Sequence, residues 1–104
     1  MTSEDQIILK ARERFIEELP LQLEAIQIEL SKFKHSPTEA HQSLCSILHQ
    51  LKGGAGFFGF TELVSEIRNF ELLYKDSPPG DLFKEHDGLA PIIVILKALI
   101  NTES

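Results

Sequence analysis

Residues 49–60 read HQLKGGAGFFGF, and the register of this run against the residues before it decides how the chain is organised. At about 3.6 residues per turn, Leu44, Ile47, Leu48, Leu51, Ala55 and Phe58 fall on one stripe, with the spacing that one buried helix face requires. His49 falls roughly opposite that stripe, on the solvent side. On its own face sit Lys52, Gly53 and Gly56, at offsets of 3, 4 and 7. Helical side chains lean towards the N-terminus, so the residue at offset 4 normally overhangs its neighbour one turn back. Gly53 has nothing to overhang with. The imidazole is left open to a large, flat partner with one ammonium group beside it, a geometry that suits a phosphoryl group on histidine.

The glycines carry a cost that the fold does not need. Each one inside a helix loses about 0.5–1 kcal/mol against alanine, and Gly53, Gly54 and Gly56 are crowded into one turn. Stability alone would place Ala or Lys there. Gly54 points away from His49 and leaves room for the next helix to approach closely. The alternative is a helix ending in a glycine-rich loop, with glycine as its C-terminal cap. Continuation of the apolar stripe through Ala55 and Phe58 argues against that.

Outward from this run the chain reads as helix almost throughout. Thr2 or Ser3, followed by Glu4 and Asp5, opens a first helix with acidic residues where the macrodipole favours them. Ile8, Phe15, Leu19, Leu23, Ile26 and Leu30 give it a long apolar face. Pro20 lies within that face and is expected to end one helix or kink a longer one. His35, Ser36 and Pro37 form the connection, and Pro37 or Thr38 starts the helix carrying His49, which runs to about Phe57. Gly59 and Phe60 make the turn, and Thr61 caps a helix from Glu62 to Tyr74. Asp76 to Gly80 (DSPPG) is a loop by its chemistry. The last helix runs from Asp81 to Asn101, with Gly88 and Pro91 as points of interruption and an apolar stretch, Ile92–Ile100, expected to be buried. No segment shows period-2 alternation with turn signals. The fold expected is all-α: an antiparallel four-helix bundle with an N-terminal helical extension.

Composition sets the outer bounds. The 104 residues suffice for one domain, 1–104, with a core that needs no staples. No apolar run is long enough to span a bilayer, and the acidic start does not resemble a signal peptide. One cysteine, Cys45, excludes an internal disulfide and fits a reducing, cytoplasmic compartment. A net charge of -6 argues against nucleic acid and suits a soluble monomer that meets protein partners. Four histidines, His35, His41, His49 and His86, raise a metal site. Metal pairs on a helix favour offsets of 3 or 4, and His41 and His49 stand 8 apart, so none is expected.

With these residues in view, the run resembles the signature of histidine-containing phosphotransfer (HPt) domains, H-x-[LI]-K-G followed by small residues and a further glycine. It is most similar to the form in the N-terminal phosphotransfer domain of chemotaxis-type histidine kinases, where GGAG and GF recur. Helix order resembles the family over most of the chain, while residues 49–71 match in detail. The resemblance implies that His49 is phosphorylated, that Lys52 contacts the phosphoryl group, and that Glu71, 22 residues on, hydrogen-bonds the imidazole. It implies response-regulator receiver domains and a histidine kinase or hybrid kinase as partners.

The chemistry can also be argued directly. A carboxylate accepting a hydrogen bond from one ring N–H fixes the tautomer and supports positive charge on the ring. Glu71 is the candidate: it lies near a stripe of Phe60, Val64, Ile67 and Tyr74, where a carboxylate without a partner is out of place, unless it merely edges the interface and reaches solvent. Lys52 offsets phosphoryl charge as a point charge. Arg68, on the flank of the same helix, reads as a solubility residue. Docking candidates that share or flank the His49 face are Gln42, Cys45, Gly53, Gly56 and Phe57, with His41 beside them.

Phosphoryl transfer needs a nucleotide site or an acyl-phosphate donor with its metal cluster, and no motif for either occurs. Gly54–Gly59 satisfies G-x-G-x-x-G, but a helical stripe precedes it where that fingerprint needs a strand. The expectation is a relay without an autonomous catalytic site or cofactor of its own, its partners supplying Mg²⁺. Three readings compete: a relay exchanging phosphate with receiver aspartates; the phosphotransfer domain of a chemotaxis-type kinase, for which this chain would be a fragment; and a helical adaptor that is never phosphorylated. The motif favours the second, and the Met1 start favours a free-standing relay.

Overall fold

A computed structural model describes residues 3–33, 35–74 and 82–103. They form four helices: α1, Ser3–Lys32; α2, Pro37–Phe57; α3, Thr61–Tyr74; and α4, Leu82–Glu103. Each helix packs against two others, α1 on α2, α2 on α3, α3 on α4 and α4 on α1, which closes a four-helix bundle. The reading of Asp76–Gly80 as a loop, the start at Thr2, helical Asp81 and the side chain of His86 all lie outside the described residues.

α1 is one continuous helix through Pro20, so the proline neither ends it nor starts another. Pro20 is exposed, while Ile16, Leu19 and Ile26 around it are buried. Burial on that face at roughly 1.5–3 kcal/mol per large apolar side chain outweighs the roughly 3 kcal/mol that an interior proline costs. The expected N-terminal extension is the first part of α1 itself. Residues 3–11 are all exposed, because α1, about 45 Å long at 1.5 Å per residue, outruns its neighbours. Ile8, placed on the apolar face by its spacing, is therefore solvent-exposed.

α2 begins with Ser36 at the N-cap and Pro37 in the first turn, where a missing N–H costs nothing. It runs without a break through Gly53, Gly54 and Gly56. Its end is built by Gly59, the one residue with positive φ among the described residues, at 81°, and by the Phe60 amide donating to the Ala55 carbonyl at 2.8 Å, as in a glycine-terminated helix. Val64 N–H then donates to the Phe60 carbonyl at 3.1 Å, and α3 is under way.

Among the described residues the core consists of Ile16, Leu19 and Ile26 from α1, Phe33 just after it, Ala40, Leu44, Leu48, Leu51 and Ala55 from α2, Leu63, Ile67 and Phe70 from α3, and Leu89, Ile92 and Leu96 from α4. In α3 the buried stripe is rotated from the one read off the sequence. Leu63 and Phe70 face inward, and Val64 and Tyr74 are only partly buried. Glu71 thus sits on the flank that meets α2. α4 passes unbroken through Gly88 and Pro91. A Cβ at Gly88 would collide with the Tyr74 ring, so the glycine there is a packing requirement. Ile92–Ile100 is not uniformly buried, because one helix cannot turn every residue to the core; Val94 is exposed.

Candidate functional site

α2 and α3 are joined by the tight turn at Gly59, so α3 runs back antiparallel along the C-terminal half of α2, and Glu71 near its end comes beside His49 and Lys52. That register brings three of the residues singled out by the sequence together. His49 projects from α2 with 73% of its side chain exposed. Its Nδ1 lies 3.9 Å from Oε2 of Glu71. The other carboxylate oxygen, Oε1, accepts a hydrogen bond from Lys52 Nζ at 2.5 Å. Glu71 is only 15% exposed and Lys52 27%.

The arrangement differs from a simple imidazole–carboxylate pair. A separation of 3.9 Å is beyond hydrogen-bond reach, so the direct partner of Glu71 is Lys52. The ammonium group supplies the counter-charge that a mostly buried carboxylate needs. Its second oxygen remains turned towards Nδ1. A shift of about 1 Å in the exposed imidazole would bring the pair within the usual range. One carboxylate therefore stands between a fixed cation and a histidine that is free to move.

The motif glycines divide into two kinds. A Cβ built on Gly54 would lie 2.5 Å from Cε2 of Phe15, so Gly54 admits a ring from α1, the preceding helix rather than the following one. Gly59 is required by its backbone conformation. Gly53, in contrast, would meet nothing within 4 Å, and Gly56 would meet only Cγ2 of Val64 at 3.9 Å. Both flank His49 on its own face, and no contact within the described residues demands the absence of their side chains.

The remaining residues of that face are spread along α2. Gln42 is exposed, Cys45 is half-buried and Phe57 is exposed. His41 is buried, at 8% exposure. It therefore belongs to the edge of the core and not to the open face, and its Nε2 lies 3.8 Å from Cys45 Sγ. Arg68 is exposed. Among the described residues there is no group of three or more His, Cys, Asp or Glu side chains able to hold a metal ion, and no helix is long and apolar enough to cross a membrane.

Sequence reading missed an aromatic cluster at the turn end of the bundle. Phe15 lies 5.5 Å from Phe58 and 5.7 Å from Phe60, centroid to centroid, and Phe57 meets Phe58 edge-on at 4.9 Å. The Arg12 guanidinium sits 5.0 Å above the Phe60 ring. The density of phenylalanine in residues 57–60 was the available signal. Phe15 reaches the cluster only because Gly54 makes room for its ring.

A comparison with family models matches the Hpt domain over residues 10–100. The chain belongs to the Hpt domain family. Comparison with curated proteins and with solved structures gave no match. Hpt domains are phosphotransfer modules of two-component signalling that act with kinases and response regulators, and the all-α four-helix bundle described above is the architecture that carries this role here.

Proposed function

We propose that this Hpt domain is a phosphorelay intermediate in which His49 accepts a phosphoryl group and passes it to an aspartate of a response-regulator receiver domain. The observation that carries this reading is the contrast at His49: an exposed imidazole, a Lys52–Glu71 pair fixed on its Nδ1 side, and two neighbouring glycines that no internal contact requires.

In the reverse direction, from an aspartyl phosphate, the lone pair of Nε2 forms an N–P bond while the acyl O–P bond breaks and the aspartate leaves as carboxylate. Lys52 offsets charge on the phosphoryl oxygens. Glu71 supports the positive charge that develops on the ring and holds the Nδ1 proton in place once the imidazole closes on it. The partner supplies the metal and the catalytic groups, so the domain works as a substrate that positions itself, without a cofactor of its own and without acting as an enzyme. We place it in the cytoplasm as a monomer.

A second reading, supported by the GGAG and GF residues of the motif, makes this the phosphotransfer domain of a chemotaxis-type kinase that takes phosphate from an ATP-bound domain. A panel of phosphorylated receiver domains and one ATP-charged chemotaxis-type kinase domain, each offered to the wild type and to His49→Gln, decides between them. Acid-labile label on the wild type alone establishes the relay, and the donor that works selects the reading. Receivers that bind without any transfer would instead indicate an adaptor.

A further inference from the structure

The core stripe of α1 does not stop where the bundle stops. Ile8 stands 11 residues, about three turns, before the buried Leu19, and Leu9 stands 7 residues, about two turns, before the buried Ile16. Both therefore continue the face that is buried further along the helix, yet Ile7, Ile8 and Leu9 are 67%, 48% and 44% exposed. Near the end of α4, Ile100 and Asn101 lie level with Pro20 and Leu23, well short of Leu9. After α2 the chain turns away at Gly59, with Phe58 against Phe15. Elsewhere among the described residues, exposed large apolar side chains stand singly or, at Leu72 and Leu73, as a pair. Three in succession occur only on this overhang. Its charges are ordered as well: Glu4 and Asp5 precede the apolar residues, and Lys10, Arg12 and Arg14 follow them, with Glu13 the one acid among the bases. Residues 3–14 thus carry no net charge, within a chain of net charge -6.

We infer that the overhanging turns of α1 are a self-association surface, on which two copies of this chain pair antiparallel, overhang against overhang, about a two-fold axis near Ile8. The occupant follows from charge. A two-fold axis there sets Ile7 of one copy opposite Leu9 of the other and the acidic turn, Glu4 and Asp5, opposite the basic residues 10–14, twice over. A parallel pair would set acid against acid and base against base. The rest of the chain holds the whole negative charge and repels a second copy, so the neutral overhang is where two copies can approach. Arg12 already lies over the Phe60 ring, which leaves Lys10 and Arg14, both exposed, as the main complement to Glu4 and Asp5. Two helices touching over about three turns cover well under the roughly 800 Å² per partner of a stable interface. The pair is therefore weak and reversible, forming at concentrations on the order of 100 µM, and the single bundle is the form below that. His49 stays open in both forms: it lies eight residues, about 12 Å, before the end of α2, and the overhang projects past that end. The inference does not depend on the phosphotransfer reading.

Sedimentation velocity on the whole chain, from about 10 µM to about 1 mM, reads the equilibrium. The variants are Ile8→Glu, the double reversal Glu4→Lys with Asp5→Lys, the double reversal Lys10→Glu with Arg14→Glu, and the control Val94→Glu on α4. All these positions are exposed, and circular dichroism verifies that each variant folds. The wild type is expected to pair, with the dissociation constant raised about tenfold or more by Ile8→Glu and by each reversal, and unchanged by Val94→Glu. An equimolar mixture of the two reversed chains should pair again, since one overhang is then mostly basic and the other mostly acidic. Small-angle scattering should show an end-to-end pair roughly 80 Å long, against 50 Å for one copy. A wild type that stays monomeric at about 1 mM would overturn the inference. So would a pair that Val94→Glu weakens as much as Ile8→Glu does, reversed chains that pair as the wild type does or fail to pair when mixed, or a pair no longer than one copy.

Discussion

Lys52 and Glu71, 19 residues apart in the chain, meet at 2.5 Å across the α2–α3 interface, and the pair lies beside the exposed imidazole of His49. Because one oxygen of Glu71 is held by Lys52, the second has a restricted range of positions relative to Nδ1. The pair therefore does two separable things: it pins two helices together, and it places a carboxylate where positive charge on the imidazole would be felt.

The catalytic half of that statement predicts that Glu71→Ala slows phosphotransfer to and from His49 by about tenfold, the equivalent of roughly 1.4 kcal/mol. Glu71→Gln should fall between, since its amide oxygen can still accept from Lys52 while carrying no charge to support the ring. Stopped-flow or rapid-quench transfer from a phosphorylated receiver measures both. A rate for Glu71→Ala within twofold of wild type would remove Glu71 from the mechanism.

The structural half predicts coupling in stability. Lys52→Ala leaves a mostly buried carboxylate without its cation, and we expect a loss of about 1 kcal/mol, moderated by the partial exposure of the lysine. That corresponds to a fall in Tm of about 4–8 °C for a domain of this size. Adding Glu71→Ala should recover part of it, because the uncompensated charge is then gone. Thermal denaturation of the wild type, both single variants and the double variant closes the cycle, and strict additivity would show that the two side chains do not interact in solution.

Pro20 offers a prediction with no consequence for transfer. Its ring occupies an exposed position in the middle of α1, where it removes one backbone hydrogen bond. Pro20→Ala should stabilise the protein by about 1–2 kcal/mol, less than the full helix penalty of roughly 3 because the unfolded chain also gains freedom. Chemical denaturation would detect it as a raised midpoint. A lowered midpoint would mean that Pro20 contributes to the fold more than its poor helix propensity takes away.

The helical order and the His49 face were legible because both depend on periodicity within one segment. Leu44, Leu48, Leu51 and Ala55 are buried at the places their spacing assigned. What could not be read depends on where one segment ends relative to another. Ile8 has the right spacing for burial and is exposed, since nothing in the sequence tells how far α1 overshoots α2. His41 and Gln42 are adjacent in the chain, yet the first is at the core edge and the second in solvent, a difference decided by the rotation of α2 against its neighbours. For the same reason Glu71 was placed near the histidine but its stronger link to Lys52 was not foreseen. Local propensity marks Pro20 as the end of a helix or a kink and Pro91 as a point of interruption, yet α1 and α4 run on through them because burial of the other helix faces outweighs it.

The sharpest prediction concerns neighbouring glycines that the sequence presents as equals. A Cβ on Gly53 meets nothing within 4 Å, whereas one on Gly54 would press on the Phe15 ring at 2.5 Å. Gly53→Ala should therefore stabilise the fold by about 0.5–1 kcal/mol, the ordinary gain of alanine over glycine in a helix. Gly54→Ala should destabilise it by about 1–3 kcal/mol, because Phe15 can yield only by disturbing its packing on Phe58 and Phe60. Function should move the other way. Gly53→Ala puts a methyl group one turn from His49, on the surface a receiver must cover, so transfer should slow although the protein is more stable. Phosphorylation by phosphoramidate should be little changed, since a small donor does not need that space. Denaturation midpoints and transfer rates measured on the same two variants provide the comparison. If Gly53→Ala were more stable and equally fast with receivers, the glycine would serve neither the fold nor the partner, and the case that His49 faces a closely fitted surface would lose its main support.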